Sequence, residues 1–402
     1  MSTFEGVLAT LGCLGSLPWI FHLVQLAAHR DMLIFLAELD DAEPAAGWPG
    51  VAMIFAARDE AGSVALASRS MLAQDYPELE VIAVDDRSVD GTGAILDAIA
   101  AEDPRLRVVH VVDLPSGWLG KTHALQAATE ATSARWLLFT DADVMFRPGV
   151  VRRAIANADR DGLDHVTVAP EVPAESVGER LFLSLFGLIF AMQAPPNRFE
   201  DRASKAHAGI GAFNLVRAET FRAIGGFRRI ALSVDDDMRL AQALKFAGYK
   251  NRLLLGADAV SVRWQVGLGG MIRGLEKNFF AALGFRIERA LGVAAALTVA
   301  GIAPYVGLFV GPWATRIVCG LGVATIATLL GLSSRHSRIG WYYAAGIPLA
   351  TLAVLVALGR SVALTLARGG VIWRGHLYPL GELKAHVRAR DTWAREVWRS
   401  TR

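Results

Sequence analysis

The chain has 402 residues, enough for a folded domain of roughly two hundred residues with further elements attached. A net charge of only +2 excludes the global basic field that draws in nucleic acid, and the two cysteines, Cys13 and Cys319, both fall in apolar stretches, where they read as small hydrophobes rather than a disulfide or zinc pair. Hydrophobic residues make up 53% of the chain and the mean hydropathy is +0.35, above the roughly 45–50% apolar usage of soluble domains, so part of the excess is expected to face lipid.

In chain order, Gly6–Ala28 contains no Lys, Arg, Asp or Glu and passes the ~20 residues of a spanning helix. No Lys or Arg precedes it and no clear small-residue cleavage site ends it, so it reads as an uncleaved anchor rather than a signal peptide. Residues 29–49 carry Asp40, Asp41 and Glu43 and end in Pro44 and Gly47–Pro49, a linker. Strands are then predicted at Val51–Ala56, Val81–Val84, Arg107–Val112 and Trp136–Thr140, alternating with helices at Ser63–Leu72, Gly93–Ala101 and Thr122–Ala131. This alternation predicts an α/β fold built on parallel strands with helices on both faces, whose ligands bind beyond the carboxyl ends of the strands.

Acidic residues gather at those ends. The second strand runs into Asp85-Asp86, more carboxylates than a helix cap needs and suited to the base and ribose donors of a nucleotide. The fourth delivers Asp141-Ala142-Asp143, in which alternate side chains point the same way and address one hard cation together with diphosphate oxygens. A third cluster, Asp235-Asp236-Asp237, precedes the helical pattern Met238–Ala247. One acid there is expected to cap the helix and complement its dipole, while mutual repulsion among the three lifts a pKa toward that of a general base. Gly209-Ile210-Gly211 and Gly225-Gly226 read as turns or as places of close backbone approach. Lys121 stands at a turn entering a helix, where a phosphate is well received.

Leu181–Met192 is apolar on nearly every face yet too short to span, a buried core helix or an interfacial one. Arg273 and Lys277 fall four apart on a predicted helix, Met271–Phe280, where they serve either a diphosphate or lipid headgroups. Three further uncharged segments, Ala290–Thr315, Ile317–Ser334 and Ile339–Gly359, complete the apolar set.

Taken together, "AARDE" at Ala56–Glu60, "LAQDYP", "VDDRSVDGT", "GWLGKTHAL", "TDADV" and "VDDDMRLA" resemble, in that order, the motifs of the family 2 glycosyltransferases with a GT-A fold. The resemblance covers about residues 50–285, with Asp59 where the family's opening turn has Asn. It implies a Rossmann-like mixed sheet flanked by helices, with membrane helices at both ends of the chain. By the same resemblance, Ala57, Arg58, Glu60, Asp85, Asp86, Lys121 and Asp141 bind the nucleotide sugar; Arg273 and Lys277 join that set on their spacing, with lipid headgroups as the other reading. Asp141 and Asp143 hold Mn²⁺ or Mg²⁺, Asp237 is the base and Asp236 its acidic neighbour. The Gln-x-x-Arg-Trp segment of processive members is missing, and "RGLEKNFFAALG" stands in its place, which argues against a polymerase. The chain looks closer to the non-processive membrane enzymes that glycosylate ceramide, carotenoid or hopanoid lipids, and "GGVIWRGHLYPL" at Gly369–Leu380 is similar to their tail.

The domain expectation is an anchor at 1–30, a linker at 31–49, the GT-A domain at 50–285, spanning or re-entrant helices at 286–368 and a basic tail at 369–402. The functional expectation is a metal-dependent, inverting transfer of a sugar, UDP-hexose in the first instance, to a hydroxyl or carboxyl of a lipid acceptor. The nearest rival is transfer to polyprenyl phosphate, whose acceptor is already an anion and calls for an extra basic pocket. A silent scaffold or sugar-lipid transporter with the same fold would have no use for the full set of acids. The expected location is the bacterial inner membrane, multi-pass, with the catalytic domain facing the cytoplasm. Four full spans would then carry the basic tail outside, against the positive-inside tendency, so one segment is expected to be re-entrant or interfacial.

Overall fold

A computed structural model describes residues 2–193 and 195–401. The helices are α1 (Thr3–Ala28), α2 (Val64–Leu72), α3 (Thr92–Glu102), α4 (Gly120–Glu130), α5 (Val150–Arg160), α6 (Val177–Gln193), α7 (Pro196–Glu200), α8 (Ala218–Ala223), α9 (Asp236–Phe246), α10 (Gly267–Gly274), α11 (Phe279–Ala282), α12 (Ile287–Gly301), α13 (Ala303–Gly307), α14 (Trp313–Ser337), α15 (Ile347–Ala367) and α16 (Leu380–Ser400). The strands are β1 (Val51–Ala57), β2 (Leu79–Asp86), β3 (Leu106–Val111), β4 (Trp136–Asp141), β5 (Val144–Phe146), β6 (His165–Glu171), β7 (Asn214–Arg217), β8 (Asn251–Val262), β9 (Gly370–Trp373) and β10 (His376–Pro379). The chain forms two compact units.

The first, Leu33–Val172 with Pro196–Arg263 and Gly381–Arg402, is built on an eight-stranded sheet of order β3-β2-β1-β4-β7-β6-β8-β5. β1 is parallel to β2 and β4, and β2 is parallel to β3, whereas β7 runs antiparallel to both β4 and β6. The sheet is therefore mixed, as the resemblance implies. β1 is a near-continuous apolar run because both its faces are covered. Met53 and Phe55 pack with α2, α3 and α5 on one side, while Ala52 and Ile54 pack with α4 and α9 on the other. Register does the functional work: Ala57 lies opposite Asp85, Ala56 opposite Asp141 and Asp85 opposite His110, so these acids meet at one edge of the sheet.

The second unit, Met1–Met32 with Pro173–Pro195 and Trp264–Leu380, is mainly helical. Among the described residues, four helices are long and apolar enough to cross a membrane: Thr3–Ala28, Ile287–Gly307, Trp313–Ser337 and Trp341–Ala367. Phe4, Leu17, Phe21, Phe309 and Trp313 remain exposed, as lipid-facing side chains would. The segment read as one span over Ala290–Thr315 is in fact interrupted: Gly311 takes a φ of +84° and Pro312, in extended conformation, is the N-cap of the next helix. α6, left open between core and interface, buries Phe182, Leu185 and Leu188 in this unit's core and stacks Phe186 on Trp264 at 5.2 Å. β9 and β10 form a hairpin whose turn, Arg374-Gly375, has positive φ at both residues, the arrangement that matches the twist of paired strands.

Candidate active site

The opening turn after β1 and the loop after β2 are tied together by backbone donors. The N–H of Asp59 donates to Ser88 Oγ (3.1 Å), Glu60 N–H to Thr92 Oγ1 (2.8 Å), Ala61 N–H to Asp90 Oδ2 (2.9 Å) and Val89 N–H to Asp59 Oδ1 (2.9 Å). Asp59 has a φ of +54°, a left-handed conformation that Asp and Asn tolerate better than most residues, so Asp at this place keeps the turn. Ala57 is buried under it, and Arg58 projects a buried Nε that has no hydrogen-bond partner among the described residues. An orphaned guanidinium N–H of this kind is open to an acceptor from water or a ligand.

Asp86 is buried and accepts from Arg87 Nε at 2.8 Å. Asp85 accepts from the Ser88 N–H (3.2 Å) and meets His110 Nδ1 at 3.1 Å, while His110 Nε2 reaches Asp97 at 3.0 Å. Hydrogen bonds to Asp85 and Asp97 raise the His110 pKa. His110 is a site neighbour that motif reading passed over, since only the β2–β3 register discloses it. Gly120, one residue before Lys121, is required by proximity: a Cβ there would stand 2.3 Å from Asp86 Oδ2.

Lys121 bridges two of the acid clusters, with its Nζ 2.7 Å from Asp141 Oδ1 and 3.6 Å from Asp236 Oδ2. Burial acts to lower its pKa, but Asp141, Asp236 and Asp237 outweigh it, and the ammonium stays charged beyond the ordinary lysine range. Asp143 sits in the turn between β4 and β5, and burial, then Asp141 and Glu60, push its carboxyl up to about 6. Among the described residues no group of three or more His, Cys, Asp or Glu converges as a metal cluster.

The third cluster differs from its sequence reading in two respects. Asp236 and Asp237 do not precede the helix but form its first turn; Asp235 holds the N-cap position without a side-chain cap bond and pairs with Arg239 at 2.7 Å. Asp237 accepts from the Met238 N–H (2.7 Å) and from the Gly211 N–H (2.8 Å). Burial and then Asp236 push its carboxyl up to about 7, against the pull of Lys121. The two glycines of Gly209-Ile210-Gly211 serve this packing, since a Cβ at Gly209 would lie 1.9 Å from the Asp237 carbonyl oxygen and one at Gly211 2.6 Å from Asp141 Oδ2.

Residues 53–225 match the sequence profile of Glycosyl transferase family 2. Over these residues, fewer than half of its length, the chain is similar to a family 2 glycosyltransferase domain. Over 114 residues the chain is 38% identical to the succinoglycan biosynthesis protein ExoO of Rhizobium meliloti, covering 28% of this chain and 31% of that protein. Over 110 residues it is 33% identical to the beta-monoglucosyldiacylglycerol synthase of Synechocystis sp., covering 27% and 22%. The chain thus spans less than a third of either relative's length. A mannosyltransferase from Pyrobaculum calidifontis, solved with GDP-Man and Mn²⁺, superposes with a TM-score of 0.53 at 16% identity over 89% of this chain and 98% of that one, a likeness of fold. The glycosyltransferase domain is therefore of the GT-A type.

Arg273 and Lys277 lie in the helical unit, apart in chain and element from this cluster. The continuous helix expected for them is broken: α10 ends at Gly274, four turn residues follow, and α11 begins at Phe279. Gly267, Gly269, Gly270 and Gly274 weaken helix propensity in this stretch, and the shared face inferred from an i,i+4 spacing is lost with the break. The Lys277 ammonium rests 3.8 Å from the centre of the Trp373 ring.

Proposed function

We propose that this protein is a membrane-bound inverting glycosyltransferase that moves a sugar from a nucleotide-diphosphate donor, a UDP-hexose in the first instance, to a hydroxyl or carboxyl of a lipid acceptor. The observation that carries this is the Lys121 bridge, which holds Asp141 and Asp236 on one ammonium while the adjacent Asp237 is left with a carboxyl titrating near neutrality.

In this account Arg58, Asp85 and Asp86, with Ala57 and Glu60 of the opening turn, hold the nucleotide, and Lys121 faces the diphosphate. Asp141 and Asp143 are an oxygen-only pair with excess negative charge, which suits Mn²⁺ or Mg²⁺ completed by diphosphate oxygens and water. Such a cation would neutralise the charge that develops on the leaving diphosphate. Asp237 takes the proton of the acceptor hydroxyl; that oxygen bonds to the anomeric carbon as the bond to the diphosphate breaks, and a single displacement inverts the centre. The Gly211 and Met238 N–H groups aim the Asp237 carboxylate, and Asp236 keeps its proton affinity high. Arg273 keeps its two readings, a diphosphate or lipid headgroups, and Lys277 is assigned to its contact with Trp373.

Four apolar helices and the glycolipid in the name of the Synechocystis relative support a lipid substrate and a multi-pass protein of the bacterial inner membrane, with the catalytic domain on the cytoplasmic side where nucleotide sugars are made. The test is the purified full chain in detergent with a bacterial total-lipid extract, Mn²⁺ or Mg²⁺, and radiolabelled UDP-glucose, UDP-galactose or GDP-mannose in turn. Label should pass from a UDP-hexose into the organic phase. Label entering only water-soluble polymer, or none with any donor, overturns the assignment.

A further inference from the structure

The C-terminal helix α16 belongs to the catalytic unit, and it docks against both ends of α9. At the far end Trp398 packs on Phe246 with ring centres 4.9 Å apart, and Thr401 Oγ1 donates to the Phe246 carbonyl at 3.0 Å. Leu383 and Ala394 are buried, and Trp393 joins the core that includes Leu240 and Leu244 of α9. These apolar contacts are sufficient to hold a helix in place.

The near end is different in kind. Arg390 is only 5% exposed, and its Nη1 donates to the buried Ser233 Oγ at 3.2 Å, while Nε and Nη2 reach Asp391 Oδ1 at 3.2 and 2.9 Å. His386 Nε2 lies 3.4 Å from the same Ser233 oxygen. Burial, then Arg239, lower the Arg390 pKa, with Asp235 and Asp391 opposing, and burial followed by Arg390 pushes His386 down to about 4, which keeps it neutral at physiological pH. Burying a guanidinium is costly unless its donors are satisfied, and a helix that needed only to dock would place a leucine there. Ser233 opens the short connection to α9, and the three consecutive acids that follow repel one another and gain from a fixed cation behind them.

We propose that Arg390 is a positioning residue which, through Ser233 and the potential it sets at Asp235, fixes the Ser233–Asp237 turn so that the Asp237 carboxylate is aimed for proton transfer. This rests on Asp237 being the base. The C-terminal helix is then a working part of the active site, supplied from more than 150 residues away in the sequence.

The experiment compares the full chain with its Arg390→Met, Arg390→Lys and Ser233→Ala variants, the last removing one hydroxyl and little else. Hydrogen exchange is followed at residues 233–240 and at β1–β4, and transfer from UDP-glucose to a bacterial total-lipid extract is measured across donor concentrations. For Arg390→Met we expect exchange at 233–240 to quicken about tenfold with β1–β4 unchanged, and kcat to fall about tenfold with donor KM within about twofold. Arg390→Lys should recover part of kcat, and Ser233→Ala should show a smaller loss in the same direction. Unchanged exchange at 233–240, or loosened exchange with wild-type kcat, overturns the proposal. Asp237→Asn separates the two claims: wild-type kcat there removes the base assignment, whereas a crippled Asp237→Asn beside a fully active Arg390→Met removes the positioning role alone.

Discussion

The acids at the end of β4 and those at the start of α9 are the same residue type held by the same lysine, yet their surroundings give them different chemistry. Asp141 is half-exposed at a strand's carboxyl end and shares its turn with Asp143, a pair that gains from any cation placed between them. Asp236 and Asp237 sit in a helix's first turn; Asp236 is buried against Lys121, and Asp237 is aimed by two backbone donors and holds its proton to about 7. On the function proposed above, one pair serves as ligands and the other as a proton acceptor. Position at a strand end or a helix start, and what is buried alongside, decides between the two.

The largest effect that would break this contrast is metal removal. Excess chelator should abolish transfer, and Mn²⁺ or Mg²⁺ should restore it, because Asp141 and Asp143 offer oxygen ligands with no thiolate or imidazole beside them. Full activity in excess chelator contradicts the ligand role. Next comes Asp237→Asn, for which kcat should fall by about 10²-fold or more with donor binding nearly intact, the scale of general-base catalysis. Should Asp236→Asn be the crippling change and Asp237→Asn mild, the base is the other acid.

The pH profile sharpens the same point. A base must be deprotonated to act, and the Asp237 carboxyl is raised to about 7 by burial and Asp236, so kcat should drop about tenfold for each pH unit below that value and level off above it. A flat profile down to pH about 5 would place proton transfer elsewhere. The smallest effects are expected in the helical unit. A several-fold fall in kcat for Arg273→Ala with little change in donor KM would mark a transition-state contact, and an unchanged kcat would exclude one. Lys277→Ala should leave kcat unchanged and cost on the order of 1 kcal/mol of stability from the lost Trp373 contact, read by thermal unfolding. Loss of activity in Arg273→Ala only where membrane association is also lost would assign that residue to lipid headgroups.

Much of the catalytic domain was legible from local pattern. β1 to β4 are short apolar runs that end in acidic turns, and periodicity with those stops located the strands, Asp85-Asp86 and Asp141-Asp143 together. What escaped was set by pairing across the chain. His110 beside Asp85 follows from the β2–β3 register, the antiparallel β7 from a pairing no local run encodes, and Arg390 on Ser233 from the docking of a helix that composition shows only as basic. The break between α10 and α11 shows the opposite error, a spacing rule carried across four turn residues that separate two short helices.

The most direct test of lipid glycosylation by these acids is mass spectrometry of the lipids of a bacterial host expressing the wild-type chain, set beside one expressing Asp237→Asn at equal level. A lipid class heavier by one hexose residue, present with the wild type and missing with the variant, is the predicted result. Identical lipids in both hosts, or a new species carrying a sugar on polyprenyl phosphate, would contradict it.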